Sequence, residues 1–260
     1  KNLIPLYQTE FAGRRILHHT INLQRRYRSV AFAALDNVGA NNPELSDETR
    51  LATLLSPFIS LDGINEKGVS IAVLTLDSNP VRQQSGKPVI ATTLAIRLIL
   101  DRAASTEEAV TLFEKYDMFA SSGRDYHFYV TDSNGDGRVI EYDCNSDDRK
   151  LVVTKSPAVT NFFVMYKNFV KPYQKNGVYG HGRERYDKII NVLEKNNSYT
   201  KETAWEALVS ASQAPNPNDI TSNTQWSIVY DNTNLTADIS IRRDWNTVTK
   251  YSLKENKITE

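Results

Sequence analysis

The chain has 260 residues, and its 31 lysines and arginines balance its 31 aspartates and glutamates. A chain of this length can bury a sizeable core, and the balanced charge gives no electrostatic reason to bind nucleic acid or an anionic membrane surface. No apolar run approaches the ~20 residues that span a bilayer. The single cysteine, Cys144, excludes an internal disulfide and a cysteine-based zinc site within one chain.

The first third of the chain predicts strands followed by a long loop. Two strands are expected over Arg15–Gln24 and Ser29–Leu35, then a loop over Asn37–Asp47 and a short helix over Glu48–Leu55. Leu61 to Asp77, LDGINEKGVSIAVLTLD, predicts turns at Asp62-Gly63 and Lys67-Gly68 that lead into a strand. Apolar residues occupy both alternating faces of that strand, so we expect it to be covered on both sides.

The middle of the chain predicts two consecutive helices and a hairpin. Apolar spacing indicates a helix over Ala91–Ala103, and Ser105 with Glu108 forms a capping-box pattern for a second helix to about Tyr116. A hairpin is expected from Tyr126–Asp132 to Arg138–Asp143. Its turn has the spacing of a calcium loop, but strands rather than helices flank it and Asn-Gly and Asp-Gly are strong hairpin pairs, so an ordinary turn is the favoured interpretation.

The last part of the chain predicts more strands, two helices and closing strands. Expected strands are Leu151–Thr154 and Ala158–Asn161; expected helices are Arg183–Glu194 and one capped by Thr200 that runs to about Ser212; and expected closing strands are Gln225–Asp231, Ala237–Arg243 and Val248–Leu253. This order predicts an α+β fold of two stacked antiparallel sheets between helix pairs, an αββα sandwich. No repeat or linker is visible, so residues 1–260 are interpreted as one domain.

The sequence D-G-x-N-E-K-G running into a buried strand resembles the linear amide C–N hydrolases, the choloylglycine hydrolase and penicillin V acylase family. The segment from Thr224 to Asn246 resembles the closing strands of that family, so the resemblance covers residues 15–253. It implies the N-terminal-nucleophile (Ntn) hydrolase fold and hydrolysis of a linear amide. It also implies a small acyl-amide substrate, such as a bile-salt conjugate, a phenoxyacyl penicillin or an N-acyl amino acid or lactone.

The resemblance also implies three catalytic positions. Asn161, in the sequence PAVTN, matches the asparagine whose side-chain amide binds the oxyanion. Thr75 lies ten residues past Asn65, at the position whose backbone N–H is the second donor, and Asn65 itself is expected to hold the turn. Arg185 matches an arginine that orients the nucleophile, although Arg183 makes that alignment ambiguous by two residues. Residues that bind the acyl group are not identified, and neither a metal nor an organic cofactor is implied.

The family nucleophile is an N-terminal cysteine whose own α-amine is the base, and Lys1 stands first here. Cys144 lies among acidic neighbours that oppose thiolate formation, so it is a poor candidate. Three explanations stay open: a separate N-terminal fragment carries the cysteine, a segment of ~20–30 residues precedes Lys1, or the protein lost its nucleophile and binds acyl groups without cleaving them. We favour the first two because the oxyanion and arginine positions are retained. The numbered chain alone is expected to be inactive.

Two further expectations concern assembly and location. The spacing from Asn161 to Arg185 is shorter than in the bile-salt hydrolases, which carry there an insertion used for tetramer assembly, so a monomer or homodimer is expected. The single cysteine fits a cytoplasmic protein without excluding secretion. A transfer of the acyl group to an amine, in place of hydrolysis, is the same chemistry with a different second substrate.

Overall fold

A computed structural model describes residues 6–11, 14–19, 26–33, 39, 44–120, 122–218 and 223–259. The predicted strand beyond His19 and most of the predicted loop between Asn37 and Pro43 lie outside the described residues. No helix among the described residues is long and apolar enough to cross a membrane.

The described part of the chain contains fourteen strands, five α-helices and two short 3₁₀ helices, Thr53–Phe58 and Val164–Phe169. The strands are β1 (Leu6–Phe11), β2 (Arg14–His19), β3 (Ser29–Phe32), β4 (Asp62–Asn65), β5 (Ser70–Leu76), β6 (Val89–Ala91), β7 (Asp117–Phe119), β8 (Asp125–Thr131), β9 (Gly137–Tyr142), β10 (Leu151–Lys155), β11 (Trp226–Asp231), β12 (Thr236–Ile241), β13 (Val248–Ser252) and β14 (Lys257–Thr259). The α-helices are α1 (Asp47–Ala52), α2 (Thr92–Arg102), α3 (Thr106–Phe113), α4 (Arg183–Lys195) and α5 (Lys201–Ala211).

Two antiparallel sheets form the centre of the fold. One has six strands in the order β10-β9-β8-β5-β4-β3, and the other has four in the order β11-β12-β13-β14. Residues of both sheets share one apolar cluster, in which Val30 and Ile64 pack with Ala237 and Ile239. This arrangement confirms the predicted α+β class with two stacked antiparallel sheets. A hairpin of β1 and β2 and a parallel pair of β6 and β7 accompany them.

Helices cover the outer sides of this pair of sheets. Ile96 and Ile99 of α2 and Phe113 of α3 share the largest buried cluster with Ile71 of β5 and Phe128 of β8. On the other side, α4 packs against α5, and Lys201 at the start of α5 forms an ion pair with the buried Asp238 of β12. The predicted layer order of helices, two sheets and helices is therefore present.

Asn65 holds the turn between β4 and β5, as the sequence predicted. Its Nδ2 donates to the carbonyl oxygens of Leu100 and Ala103 at 3.1 and 2.8 Å, and its Oδ1 accepts from the amides of Lys67 and Val69 at 3.0 and 3.1 Å. The side chain is fully buried. All four hydrogen-bonding capacities of the amide are therefore used: two join the hairpin to the end of α2, and two close the turn itself.

Two predictions about local structure were wrong. Asp62-Gly63 is not a turn but the start of β4, because Gly63 pairs with Ile71 in the sheet. Ala158–Asn161 is not a strand. Pro157 lacks an N–H, and the segment is held by side-chain bonds instead, Ser156 Oγ to Ala158 O at 2.6 Å and Thr160 Oγ1 to Gly182 O at 2.9 Å.

Helix capping agrees with the sequence, with one difference in partner. Thr200 caps α5 as predicted, and it forms a reciprocal capping box with Thr203. At α3, Ser105 Oγ accepts from the Glu108 amide at 3.2 Å, but Glu108 reaches back to the amide of Ala104 at 2.8 Å rather than to that of Ser105.

Candidate active site

Thr75 lies in the part of β5 that extends beyond its pairing with β4. Successive residues of a strand direct their backbone groups to opposite edges. The Val73 amide donates at 2.9 Å to Leu61, just before β4 begins. The amide and carbonyl of Thr75, two residues further along, therefore point to the same edge but beyond the start of β4. On its other edge, Thr75 is paired with Tyr126 of β8.

Asn161 occupies this open edge. Its Nδ2 donates to Thr75 O at 3.0 Å and contacts Thr75 Oγ1 at 3.2 Å. Its backbone carbonyl accepts from the His181 amide at 2.8 Å. Gly180 has a φ of +98°, and a Cβ there would lie 2.2 Å from Asn161 O, so only glycine permits this close approach. Asn161 is thus positioned by the loop before α4 rather than by a strand.

Arg185, in the first turn of α4, completes the cluster. Its Nη2 donates to Asn161 Oδ1 at 2.9 Å, and the side chain is 16% exposed. Burial lowers the pKa of the guanidinium, and the nearby Glu184 partly offsets that effect. Gly182 makes room for it, because a Cβ there would lie 2.2 Å from Nη2. The structure therefore brings together the three residues that the sequence selected, Thr75, Asn161 and Arg185.

Arg183 and Arg185, between which the sequence alignment was ambiguous, have different contacts. Arg183 Nε donates to Asp187 at 2.7 Å and its Nη1 donates to the carbonyl of Lys167 at 2.6 Å. Those bonds hold Arg183 on the surface of α4, whereas Arg185 reaches Asn161.

Two cavities meet at Arg185. One, of about 530 Å³, is polar, and it is lined by Thr75, Asn161 and Arg185 together with Asp77, Arg124, His181 and Gln213. The other, of about 650 Å³, is mainly apolar and is lined by β5, β8, α4, α5 and β11, with Ala72, Leu74, Ile189, Leu193 and Ile228 among its residues. A substrate with one polar and one apolar half could therefore place the bond between them beside Asn161.

Sequence reasoning missed two polar groups in these cavities. His181 Nδ1 lies 2.8 Å from Asp77 Oδ2 at the rim of the polar cavity. Asp62 faces the apolar cavity, where Tyr230 donates to its Oδ1 at 2.5 Å. Burial raises the pKa of Asp62 to about 6 and that of Tyr230 well above its usual value. No spacing in the sequence pairs these residues, which are 104 and 168 positions apart.

Cys144 is outside the Asn161 cluster. It lines a depression with Asn79, Arg149 and Val178 that adjoins the polar cavity at Asp77. Burial is the main cause of its raised pKa, with Asp143 and Asp125 adding to it and Arg149 opposing it. A raised pKa agrees with the expectation from the sequence that Cys144 is a poor nucleophile, although burial rather than the acidic neighbours is the leading cause.

The carboxylates with calcium-loop spacing have protein partners. Asp132 accepts from the amide of Thr106 at 3.0 Å, and Asp136 accepts from Thr106 Oγ1 and Arg138 Nε, each at 2.7 Å. These bonds join the hairpin to the start of α3. Within the described ranges, no group of three or more potential metal ligands is found.

The fold is that of an Ntn hydrolase. A variant of conjugated bile acid hydrolase from Clostridium perfringens aligns with a TM-score of 0.62 at 13% identity, over 98% of this chain and 95% of that one. Penicillin V acylase from Agrobacterium tumefaciens aligns with a TM-score of 0.58 at 14% identity, over 95% and 90%. At these identities the likeness establishes the fold alone.

The chain belongs to the family described as acyl-coenzyme A:6-aminopenicillanic acid acyl-transferase, whose model matches residues 50–244. The matched range includes Thr75, Asn161 and Arg185. The resemblance to linear amide C–N hydrolases is thereby confirmed. A search of curated proteins finds no match to this chain.

Proposed function

We propose that this protein is a cysteine Ntn amidohydrolase that cleaves the linear amide bond between an acyl group and an amine. The observation that carries the proposal is the Asn161 amide, fixed between Thr75 O and Arg185 beside two cavities of opposite polarity. Family membership supports acyl-group chemistry, and the matched range of residues 50–244 contains all three residues.

The oxyanion is assigned to two donors. Asn161 Nδ2 has two hydrogens, and the contact with Thr75 O at 3.0 Å uses one of them. The second is directed toward Thr75 Oγ1 at 3.2 Å, an acceptor that the oxygen of a bound substrate can replace. The backbone N–H of Thr75 points to the same open edge. Together these groups are placed to bind the oxygen of a tetrahedral intermediate, where one donor is typically worth about 2.7–4 kcal/mol.

Arg185 is assigned a positioning role. An asparagine amide can rotate so that its oxygen and nitrogen exchange places. The guanidinium donates to Oδ1 at 2.9 Å, and a guanidinium has no acceptor to offer an N–H group. It therefore keeps Nδ2 directed toward Thr75 and the reacting carbonyl.

The nucleophile is assigned to an N-terminal cysteine outside the numbered chain. Its thiol sulfur attacks the amide carbon and its free α-amine accepts the thiol proton. That proton passes to the leaving amine as the C–N bond breaks, leaving a thioester. Water, deprotonated by the same amine, then attacks the thioester and releases the carboxylic acid with regeneration of the thiol.

Transfer of the acyl group to a second amine is the competing proposal. It is supported by the description of the matched family as an acyl-transferase. The two reactions differ only in whether water or an amine attacks the thioester from the polar cavity. Adding a candidate amine at rising concentration separates them: transfer produces a new amide, whereas hydrolysis releases free acid at an unchanged rate.

The test uses protein expressed from its full reading frame, with intact mass and N-terminal sequencing before an assay on a panel of acyl amides. We expect a cysteine-initiated segment and a mass increase equal to the acyl group after brief exposure to substrate. If no such segment exists and no acyl amide is cleaved, the enzyme proposal falls. Binding of the same acyl amides without cleavage would then support an inactive acyl-binding protein.

A further inference from the structure

We infer that the apolar cavity selects an acyl group carrying a hydroxyl group about 10 Å from the scissile carbonyl, and that Asp62 is the residue that accepts its hydrogen bond. This inference rests on the proposed function, because it assigns the acyl half of the substrate to the cavity beside Asn161. It names a specificity residue and a chemical class of acyl group.

The first step is that Asp62 faces the cavity. It lines the apolar cavity together with Ala72 and Leu74 of β5. The residue retains partial solvent accessibility, whereas its neighbours Gly63 and Ile64 are buried. Ala72, its pairing partner on β5, also lines the cavity, so the exposed part of Asp62 opens into this space.

The second step is that the carboxylate has unused acceptor capacity. Tyr230 donates to Oδ1 at 2.5 Å, and Trp226 contributes a second side-chain hydrogen bond. A carboxylate has about four lone-pair sites. A carboxyl group placed in an apolar cavity with two donors is costly unless further donors reach it, and a hydroxyl of the bound acyl group supplies such a donor.

The third step is the distance from the reaction. Asp62 pairs with Ala72, and Thr75 lies three residues further along β5. At about 3.3 Å per residue this separation is roughly 10 Å. An extended chain advances about 1.2 Å per backbone atom, so roughly eight atoms span it. An acyl chain of about eight carbons therefore brings a terminal hydroxyl to Asp62.

The walls of the cavity fit such a chain. Ala72, Leu74, Ile189 and Leu193 provide apolar contact along its length, and small residues of α5, Ala204, Ala207 and Ala211, leave room opposite β11. Arg185 lies at the polar end of the same cavity, next to Asn161. The cavity is thus mainly apolar. Ser70, Thr131 and Ser227 add hydroxyl groups to its lining, and Asp62 is its only carboxylate among the described residues.

The experiment compares two ligands of matched size by calorimetry, N-(8-hydroxyoctanoyl)glycine and N-nonanoylglycine, in which a methyl replaces the hydroxyl. Conditions are chosen so that the ligand is not cleaved, with the nucleophile cysteine changed to alanine where one is present. We expect the hydroxyl ligand to bind the unaltered site roughly ten- to a hundredfold more tightly. Moving the hydroxyl to carbon 4 should remove that preference.

Variants locate the preference at Asp62. In Asp62→Leu the preference for the hydroxyl ligand should vanish or reverse. In Leu193→Ala the binding affinity of both ligands should fall by the same factor. Because Asp62→Leu leaves Tyr230 without its acceptor, Asp62→Asn is measured alongside it and should lower the preference without removing it. Circular dichroism confirms folding of each variant.

The outcomes separate the two proposals. Equal binding of the two ligands, or a hydroxyl preference that survives in a folded Asp62→Leu, overturns the inference while the amidohydrolase proposal stands. If neither ligand binds the unaltered protein, the assignment of the acyl group to this cavity falls and this inference with it, while the amidohydrolase proposal is decided separately by the cleavage assay on acyl amides.

Discussion

Asn65 and Asn161 are both held by backbone groups, yet their surroundings differ. Asn65 is fully buried, and its two donors and two acceptors all have main-chain partners. Asn161 is partly exposed to a polar cavity, where its Oδ1 binds a guanidinium and its Nδ2 donates to Thr75 O at the open edge of β5. A saturated amide stabilises architecture, whereas an amide with a replaceable partner at a cavity is suited to binding a substrate atom.

The difference arises from strand length. β4 pairs with β5 only from Asp62 to Ile64, and Asn65 closes the turn immediately after it. At the other end of β5, the Thr75 backbone has no β4 residue opposite it, and its carbonyl accepts from Asn161 Nδ2 instead. One strand thus produces a fully bonded turn at one end and an open edge at the other.

The largest effect is expected from Asn65→Ala. The substitution removes the partner of two buried carbonyls and of the buried Val69 amide, as well as that of the Lys67 amide in the exposed turn, and each buried group left unpaired costs about 1–3 kcal/mol. We expect the free energy of unfolding to fall by about 4 kcal/mol or more, measured by urea denaturation. Asn134→Ala is the control, since Asn134 lies in an exposed turn and keeps its backbone bond to Asp132. A loss below about 1 kcal/mol for Asn65→Ala would contradict the architectural role.

Asn161→Ala should show the opposite pattern. In the active protein we expect kcat to fall roughly 100- to 1000-fold, the loss typical of one oxyanion donor, while the free energy of unfolding changes by less than about 1 kcal/mol. Asn145→Ala is the matched control, because the Nδ2 of that exposed asparagine donates to Tyr179 at 3.1 Å on a different surface. If Asn161→Ala lowers stability and kcat together, the comparison between the two asparagines fails.

The next prediction concerns Asp62, which begins β4, the strand that Asn65 ends. It tests whether this residue, like Asn65, affects stability. Its folded pKa of about 6 exceeds the ordinary value of 3.8. Between those pH values the folded state binds more protons than the unfolded state, so stability should fall as pH rises from about 4 to about 6 and stay lower above it. At 1.36 kcal/mol per pH unit the loss is about 2–3 kcal/mol.

Urea denaturation of the unaltered protein and Asp62→Asn across pH 4–7 isolates this contribution, because the amide does not titrate. The stability difference between the two proteins should change by about 2 kcal/mol over the range. A difference that is constant with pH would show that the Asp62 carboxyl is ordinarily solvated.

The sequence selected three residues that the structure brings together, but it predicted the wrong conformation for the segment that carries Asn161. Thr75, Asn161 and Arg185 follow from motif positions, and the sandwich follows from apolar periodicity and element order. Ala158–Asn161 has strand-like composition, but its polar groups are bonded through Ser156 and Thr160 to the irregular loop before α4. Composition does not reveal such side-chain partners.

The residues missed by the sequence depend on packing between distant elements. Asp62 was read as a turn residue because Asp-Gly pairs favour turns, and only the stacking of β11 over β4 brings Tyr230 to it. The His181 and Asp77 pair likewise requires the loop before α4 to fold over the end of β5. Local patterns contain no information about these contacts.

The smallest effect concerns the link between Arg185 and Asn161. Arg185→Lys keeps a positive charge but loses the planar group that donates to Asn161 Oδ1, and we expect kcat to fall roughly tenfold. If the arginine acts only by orienting the amide, the same change in an Asn161→Ala background should lower kcat much less, with a coupling energy of about 1 kcal/mol.

The control is Arg183→Lys, because Arg183 pairs with Asp187 instead, and this change should leave kcat unchanged in both backgrounds. Additive losses for Arg185→Lys and Asn161→Ala would mean that Arg185 acts on the substrate or nucleophile directly, and its assignment as a positioning residue would be wrong.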